Sequence, residues 1–267
     1  MPYPLFNFTL RPLEQIQPWG EPDDPNLHWF GLTDGCYWIQ AGNSRLFEYS
    51  KFAQSEGAPH LCDFQVTRFY EGLLELAPYA LEVVPEDLRC FIAVDESKEW
   101  NHRRSQWWDA VESLDESDEL ELDSLAIGWL DKRTIESYYL TTPIRAVIWS
   151  DSEFVHIEWD HRDVLFKGVL AWTAEFGRWS LPRATFIEEV RDLHSRLMSQ
   201  MSERVAEVLA GALSPSIRVH LQGLQREQFE RSQFLDQYVR AIDPPTNWHG
   251  VSQAIEVLEQ LSRKNKG

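Results

Sequence analysis

The stretch that decides the fold class is residues 144–159, with the sequence IRAVIWSDSEFVHIEW. Two apolar runs rich in β-branched and aromatic residues flank Asp151-Ser152-Glu153, a triplet typical of a turn, so the pattern predicts an antiparallel pair of strands. A third strand is expected at residues 168–175, which end before Gly177. The region at about 144–176 is therefore predicted to be a β-meander.

A second β-meander is predicted nearer the N-terminus, at about residues 5–50. Phe6, Phe8 and Leu10 alternate with polar residues, as a half-buried strand requires. Aromatic runs then flank Asp34-Gly35, and an Asp-Gly step between such runs is a strong hairpin signal. We therefore expect a hairpin that turns at Asp34-Gly35, with a strand on either side.

Helical periodicity separates the two meanders and continues after the second one. In the middle segment, apolar residues recur at helical spacing between residues 66 and 130. A longer apolar stripe predicts one helix over residues 183–209, whose buried face carries Phe186, Val190, Leu193 and Leu197. The order β, α, β, α is typical of an α+β fold built on antiparallel sheets, with a helical middle segment and a helical C-terminal region.

The charge of the chain divides it into two portions. Among 267 residues there are 43 acidic and 25 basic side chains, which give a formal net charge of −18. Residues 183–267 hold 11 acidic and 11 basic side chains, so the whole excess of acid lies in residues 1–182. We expect an acidic α+β portion over 1–182 and a charge-neutral helical portion over 183–267, joined in one compact unit.

The acid is densest in residues 82–123, which contain 14 acidic residues and only 4 basic ones. Such a stretch repels nucleic acid and anionic membranes, but it attracts a basic protein and speeds its association. Tryptophans within the stretch could anchor an interface. The partner-binding residues predicted on this basis are Trp107, Trp108, Asp115, Glu116, Asp118 and Glu119. The alternative is that the acid only keeps the protein soluble.

The chain is rich in tryptophan, and most of its 12 tryptophans lie at positions expected to face the core. The adjacent pair Trp107-Trp108 is different, because two neighbours cannot both face one core. One member of the pair must therefore contact a second buried surface, a partner or water.

Signatures of the commoner enzymes are missing from the sequence, which has no nucleotide-binding glycine loop, no Gly-x-Ser-x-Gly and no His-Glu-x-x-His. The strongest candidate for catalysis is the strand segment with His156, Glu158 and Asp160. On a strand these side chains point to one face, where they could hold a metal or transfer a proton. The alternative is that they form the polar, solvated face of an antiparallel sheet. We expect no cofactor, and no second cluster of ligands supports a metal.

The three cysteines, Cys36, Cys62 and Cys90, are too few and too widely spaced for a disulfide framework or a zinc site. The sequence begins without the pattern of a signal peptide and contains no apolar run of about 18 residues. These features predict a soluble cytoplasmic protein with free thiols that does not contact a membrane.

A distinctive motif near the N-terminus consists of Pro18-Trp19-Gly20, then HWFGLTDG at residues 28–35, then Tyr37-Trp38-Ile39. Further along, Trp129-Leu130-x-x-Arg133 and Trp172-Thr173-Ala174-x-x-Gly177 belong to the same pattern. With these residues the chain resembles an uncharacterised family of bacterial proteins, defined as a domain of unknown function. The resemblance implies no known activity.

Small acidic bacterial proteins of this kind are similar in general character to the immunity proteins that neutralise toxins. We therefore expect a non-enzymatic protein-binding module, in concrete form an immunity or antitoxin-like inhibitor of a basic toxin. The alternative is an enzyme that uses His156, Glu158 and Asp160.

Overall fold

The computed structural model describes residues 4–92, 97–112, 114–235 and 245–264, without the side chains of residues 97–101 and 116. The strands are Phe6–Leu10 (β1), Asp34–Ala41 (β2), Ser44–Leu46 (β3), Cys62–Gln65 (β4), Ala146–Ser150 (β5), Phe154–Asp160 (β6), Leu165–Phe166 (β7), Val169–Leu170 (β8) and Phe176–Pro182 (β9). The helices are Lys51–Ser55 (α1), Val66–Leu81 (α2), Ser97–Val111 (α3), Glu116–Ala126 (α4), Gly128–Asp131 (α5), Arg183–Leu209 (α6), Leu221–Arg231 (α7) and Trp248–Lys264 (α8). These elements confirm an α+β fold with antiparallel sheets.

The first sheet consists of β1, β2, β3 and β4, and β2 pairs with each of the other three in antiparallel register. The predicted hairpin at Asp34-Gly35 is wrong, because residues 27–33 do not form a strand and Asp34 begins β2. Gly35 has a different purpose: a Cβ atom on it would lie 2.3 Å from the carbonyl oxygen of Thr9 in β1. The Asp-Gly step therefore lets two strands approach closely and does not turn the chain.

The second sheet has β6 between β5 and β9, all antiparallel. The first two strands are confirmed, but the third strand is β9 and not the expected residues 168–175. A short hairpin of β7 and β8 occupies residues 165–170 instead. Gly177 does not end a strand but lies inside β9, because a Cβ atom there would lie 2.5 Å from the Trp159 ring of β6. The glycine at position 177 therefore allows close packing against Trp159 and does not mark the end of a strand.

The long helix predicted over residues 183–209 is confirmed as α6. Phe186, Val190, Leu193 and Leu197 are each at most 1% exposed. Burial of side chains of this size contributes about 2 kcal/mol each, so packing against α2, α7, β1 and β9 holds the helix in place. No helix of the described part combines the length and the apolar composition needed to cross a membrane.

Buried apolar side chains of the described residues form a main core, a second core and a small third cluster around Trp172. The main core draws on both large sheets, α2 and α6. The second core lies among α3, α4, α5 and α8 and includes Trp149 of β5. Because α8 packs against α3 and α4, the second core joins the C-terminal portion of the chain to its acidic portion.

Candidate functional site

The acidic stretch expected to bind a partner folds into α3 and α4, which cover the second core. Trp107, Ala110 and Val111 of α3 face inward, and each is at most 2% exposed. In α4, Ala126 is fully buried, and both helices pack against α8. This one-sided burial leaves the outer faces of α3 and α4 to solvent, and most of the charged residues lie there.

Trp107 and Trp108 have opposite environments, as their adjacency requires. Trp107 is 2% exposed, and its ring centroid lies 5.3 Å from that of Phe91. Trp108 is 40% exposed. The expectation that Trp107 contacts a partner is therefore corrected, because this side chain belongs to the second core. Trp108 is the member of the pair that a partner can reach.

Carboxylates crowd the outer side of the two helices and the segment between them. The exposed ones, which form no ion pair with a basic residue of the described ranges, are Asp109, Glu112, Asp115, Asp118 and Glu121. Glu119 is half-buried, and the side chain of Glu116 lies outside the described residues. We call this set of five exposed carboxylates, together with Trp108, the acidic surface.

The described basic residues of the same stretch are engaged within the fold. Arg104 pairs with Asp131 at 3.1 Å, and Arg103 lies over the Phe91 ring at 5.7 Å from its centroid. They therefore do not neutralise the acidic surface. Burial, and to a lesser extent the nearby charge of Asp131, raises the pKa of Asp123.

Leu120 adds an exposed apolar side chain that the sequence patterns did not single out. It lies on α4 between Glu119 and Glu121 in the chain and is 67% exposed. Leu122 and Leu125 lie on the helix face predicted to be buried, and helical geometry places position 120 on a different face. The sequence could therefore have identified Leu120 as an exposed apolar residue.

The second candidate site lies on one face of the β5–β6–β9 sheet. Antiparallel register places Trp149, His156 and Ser180 side by side across the three strands. The next row on the same face includes Glu158 and Arg178. Both rows share one face because alternate residues of a strand point the same way.

His156 and Glu158 lie on one face, as predicted, but that face is not solvated at these positions. The two residues are 5% and 7% exposed. The Trp149 ring lies 4.3 Å from the His156 ring, and its Nε1 donates to Glu158 Oε1 at 2.9 Å. Because Trp149 belongs to the second core, it buries this part of the sheet. The alternative of a wet polar face is therefore wrong here.

Asp160 is held apart from the other two residues by its own partner. Its carboxylate accepts from Arg162 at 3.0 Å, and the Arg162 guanidinium lies over the Phe176 ring at 4.2 Å from its centroid. Glu158 pairs instead with Arg178 at 3.5 Å. In the described part of the chain, no three His, Cys, Asp or Glu side chains are placed to hold a metal ion. The three candidates thus do not converge on one centre.

A chain of hydrogen bonds that sequence patterns did not identify runs from Asp151 through His156 to Ser180. Asp151 Oδ2 lies 3.1 Å from His156 Nε2, and Ser180 Oγ lies 2.7 Å from His156 Nδ1. Arg178 Nη2 lies 3.1 Å from the same Nδ1. Ser180 is exposed, whereas His156 is buried. Only the register of β6 with β9 brings the serine to the histidine, 24 residues away in the chain.

The surroundings fix the charges of this hydrogen-bond chain. Burial alone would raise the pKa of Asp151, but hydrogen bonds from the N–H groups of Phe154 and Glu153 and from His156 lower it to about 2. Burial lowers the pKa of His156, Arg178 acts in the same direction, and Asp151 opposes both. At neutral pH, His156 is therefore neutral and Asp151 is charged.

A cleft of about 750 Å³ beside α7 shares no lining residue with either candidate site. Its wall includes Trp29 and Leu224, and its rim carries His28 and Arg218. Arg218 already pairs with Asp24 at 2.9 Å. Its lining also includes Arg226 and Arg231, which pair with Glu230 at 3.9 Å and with Glu227 at 3.0 Å.

Comparison with known proteins identifies a family but no activity. Neither the curated proteins nor the solved structures include a match to this chain. A family model matches residues 5–254, which is most of the sequence, and confirms the prediction of a family of unknown function. The chain belongs to this family, which is described as a family of unknown function (DUF5984).

Proposed function

We propose that this protein is a cytoplasmic binding module that docks a basic protein on its acidic surface, and that this docking involves no catalysis. One observation carries the proposal. On α3, α4 and the segment between them, five exposed carboxylates without a basic partner in the described ranges accompany two exposed apolar side chains, Trp108 and Leu120. The proposed binding needs no cofactor.

The carboxylates supply the attraction. Charges closer together than the Debye length, about 8 Å at physiological salt, act jointly on an approaching molecule. A surface of one sign can raise the association rate by a factor of about 10 to 1,000. Such a surface selects a partner rich in lysine and arginine and rejects nucleic acid.

The apolar side chains supply the affinity. Tryptophan is enriched among the residues whose truncation weakens protein interfaces most, and surrounding polar residues keep water away from it. Trp108, at 40% exposure, and Leu120, at 67%, have apolar area left to bury. Unlike the exposed Phe229 on α7, these two side chains lie on helices that also carry the exposed carboxylates.

The concrete form of the proposal is an immunity or antitoxin-like inhibitor of a basic toxin. An inhibitor of this type requires a preformed surface, because a rigid surface loses little entropy on binding. The second core holds α3 and α4 against α8, which supports such rigidity.

Co-expression of this chain with the product of the neighbouring open reading frame tests the proposal. We expect that product to be basic and toxic, and the chain to silence it and co-purify with it. Trp108→Ala should raise Kd at least about tenfold. Phe229→Ala is the matched control, because Phe229 is an aromatic residue on α7 that is 68% exposed. It should leave Kd unchanged.

A complex that both substitutions weaken equally contradicts docking on the acidic surface. A complex that neither of them weakens does the same. The proposal of a basic partner fails altogether if the neighbouring product is not basic and no basic protein forms a saturable complex with the purified chain.

A further inference from the structure

We propose that Ser180, His156 and Asp151 form a nucleophilic site for small carboxylic esters, separate from the acidic surface and independent of its function. The site lies on one face of β6 and β9. Its nucleophile, Ser180, belongs to β9, which is an edge strand of the sheet. The hydrogen-bond chain, the exposure of its members and the neighbouring side chains carry the inference.

The partners of His156 determine which ring nitrogen carries the proton. A guanidinium group can only donate, and Arg178 Nη2 lies 3.1 Å from Nδ1, so Nδ1 must accept. Nε2 therefore carries the hydrogen and donates to Asp151 Oδ2. The single lone pair of Nδ1 faces both Arg178 Nη2 and Ser180 Oγ, the latter at 2.7 Å, so Nδ1 can act as general base toward the serine once Arg178 turns away.

Asp151 is held firmly enough to orient the imidazole. Its Oδ1 accepts hydrogen bonds from the N–H groups of Glu153 at 2.8 Å and Phe154 at 2.7 Å. Arg183 Nη1 donates to the Asp151 carbonyl oxygen at 2.9 Å. A carboxylate fixed in this way keeps the histidine in one tautomer and stabilises the imidazolium that forms during the reaction.

Exposure separates the roles of these groups. His156 is 5% exposed, whereas Ser180 is exposed and the Arg178 side chain is 42% exposed. Arg178 and Ser180 are two residues apart on one strand and share a face. The guanidinium can therefore turn from His156 to the negative oxygen that develops when Ser180 attacks a carbonyl carbon.

Apolar side chains beside the serine indicate the class of substrate. Phe154 pairs with Pro182 across β6 and β9, in the row next to His156 and Ser180. Phe154 is 39% exposed, and Pro182 is exposed. This border favours a short apolar acyl group, and Arg178 favours the carbonyl oxygen.

The reaction balances without a cofactor. Ser180 Oγ forms a bond to the carbonyl carbon while its proton passes to His156 Nδ1, and the oxyanion faces Arg178. Collapse of the intermediate breaks the bond to the alcohol, which leaves with the proton from His156. Water then attacks the acyl-serine with His156 as base, so that the acid and free Ser180 are released.

Labelling of the purified full chain with diisopropyl fluorophosphate tests the nucleophile. Ser180 Oγ would form the P–O bond as the P–F bond breaks, fluoride would leave, and the serine proton would pass to His156. We expect one adduct per chain in the intact mass, mapped to Ser180 by peptide mass spectrometry.

Variants separate a reactive serine from a structural one. Ser180→Ala should abolish the adduct. Asp151→Asn should slow labelling at least about tenfold, because the imidazolium that forms during the reaction loses the negative charge beside it. Ser152→Ala removes an exposed serine from the turn that carries Asp151, and it should leave the labelling rate unchanged. The wild-type protein should hydrolyse p-nitrophenyl acetate faster than the Ser180→Ala variant does.

Absence of an adduct at Ser180 in folded protein would overturn the proposal. So would an unchanged labelling rate in Asp151→Asn with an unchanged Tm, because Ser180 would then be only a structural partner of His156. Equal ester hydrolysis by wild type and Ser180→Ala would overturn the substrate class. The labelling rate should level off with rising pH once His156 is neutral, whereas the rate of an unassisted serine would keep rising with pH.

Discussion

The acidic surface and the polar face of the β5–β6–β9 sheet use charge in opposite ways. The exposed carboxylates of α3, α4 and their connection have no basic partner in the described ranges. On the sheet face the charged groups have partners within 3.5 Å, as Glu158 has in Arg178 and Asp151 has in His156.

This difference separates charge that supports the fold from charge that is free to act. A buried charge without a partner costs several kcal/mol, so the contacts of Glu158 with Arg178 and Trp149 support the fold. An exposed charge costs little with or without a partner, so it can be arranged for a binding partner. Ser180 and Arg178 differ from the buried residues of the sheet face because their side chains are exposed to solvent.

The largest loss of stability is expected from substitution of Glu82. This residue belongs to the acidic stretch, but it has a basic partner, as the charged residues of the sheet face do. Arg133, which has no exposed side-chain surface, pairs with it at 2.7 Å, and the Thr246 N–H donates to it at 2.8 Å. Glu82→Ala leaves Arg133 buried without its counter-charge and should lower the free energy of unfolding by about 3–5 kcal/mol in urea titrations. Asp118→Ala should change it by less than about 0.5 kcal/mol. Similar costs for the two variants would break the comparison.

Two buried histidines should make the region of β6 sensitive to acid. Burial lowers the pKa of His161 to about 4 and also lowers the pKa of His156. Since an unfolded histidine titrates near pH 6.5, the unfolded chain binds more protons between about pH 6.5 and 4, and stability falls as pH falls through this window. His161 alone should account for about 3 kcal/mol. Denaturant titrations of His161→Gln should give a smaller loss, and an unchanged loss contradicts a neutral His161.

A smaller effect is expected from the indole that covers the sheet face. Trp149→Phe keeps an aromatic ring but removes the Nε1 donor to Glu158, so the free energy of unfolding should fall by about 1–3 kcal/mol. Trp108→Phe, at an exposed position of the acidic surface, should have an effect below about 0.5 kcal/mol. Denaturant titrations of both variants measure these changes in the free energy of unfolding. Equal losses would mean that burial of Trp149 is not what distinguishes the two regions.

The smallest change is expected when the acidic surface itself is neutralised. In the triple variant Asp115→Asn, Asp118→Asn and Glu121→Gln, relief of repulsion opposes the loss of favourable charge at the start of α4. The free energy of unfolding should therefore stay within about 0.5 kcal/mol of wild type, and Tm should move by only a few degrees. A loss above about 1 kcal/mol would place these carboxylates among the groups that hold the fold.

Local periodicity made part of the fold predictable. The stripe through Phe186 and Leu197 repeats over many turns, so one window of sequence defines α6. Gly35 could not be interpreted in the same way, because its requirement comes from the Thr9 backbone of a distant strand. The Asp-Gly step therefore had two physical meanings, and only the pairing of β1 with β2 separates them.

The candidate sites depended more heavily on distant contacts. Adjacency implied that Trp107 and Trp108 differ, but the packing of α8 on α3 decides which one is buried. The link from His156 to Ser180 requires the register of β9, a strand whose position the sequence did not indicate. Residue types alone therefore pointed to His156 but not to its partners.

The most direct test of the docking proposal is the rate at which the co-purifying basic partner associates with the chain at about 20 and 200 mM salt. Three proteins are compared: wild type, the triple variant of the acidic surface, and a control that removes three exposed charges elsewhere, Glu21→Gln, Asp23→Asn and Glu203→Gln. We predict that the wild-type rate falls about tenfold at the higher salt and that the control behaves similarly. The triple variant should associate more slowly at low salt and depend less on salt. Equal rates for the triple variant and the control would contradict the account, because the acidic surface would then have no part in guiding the partner.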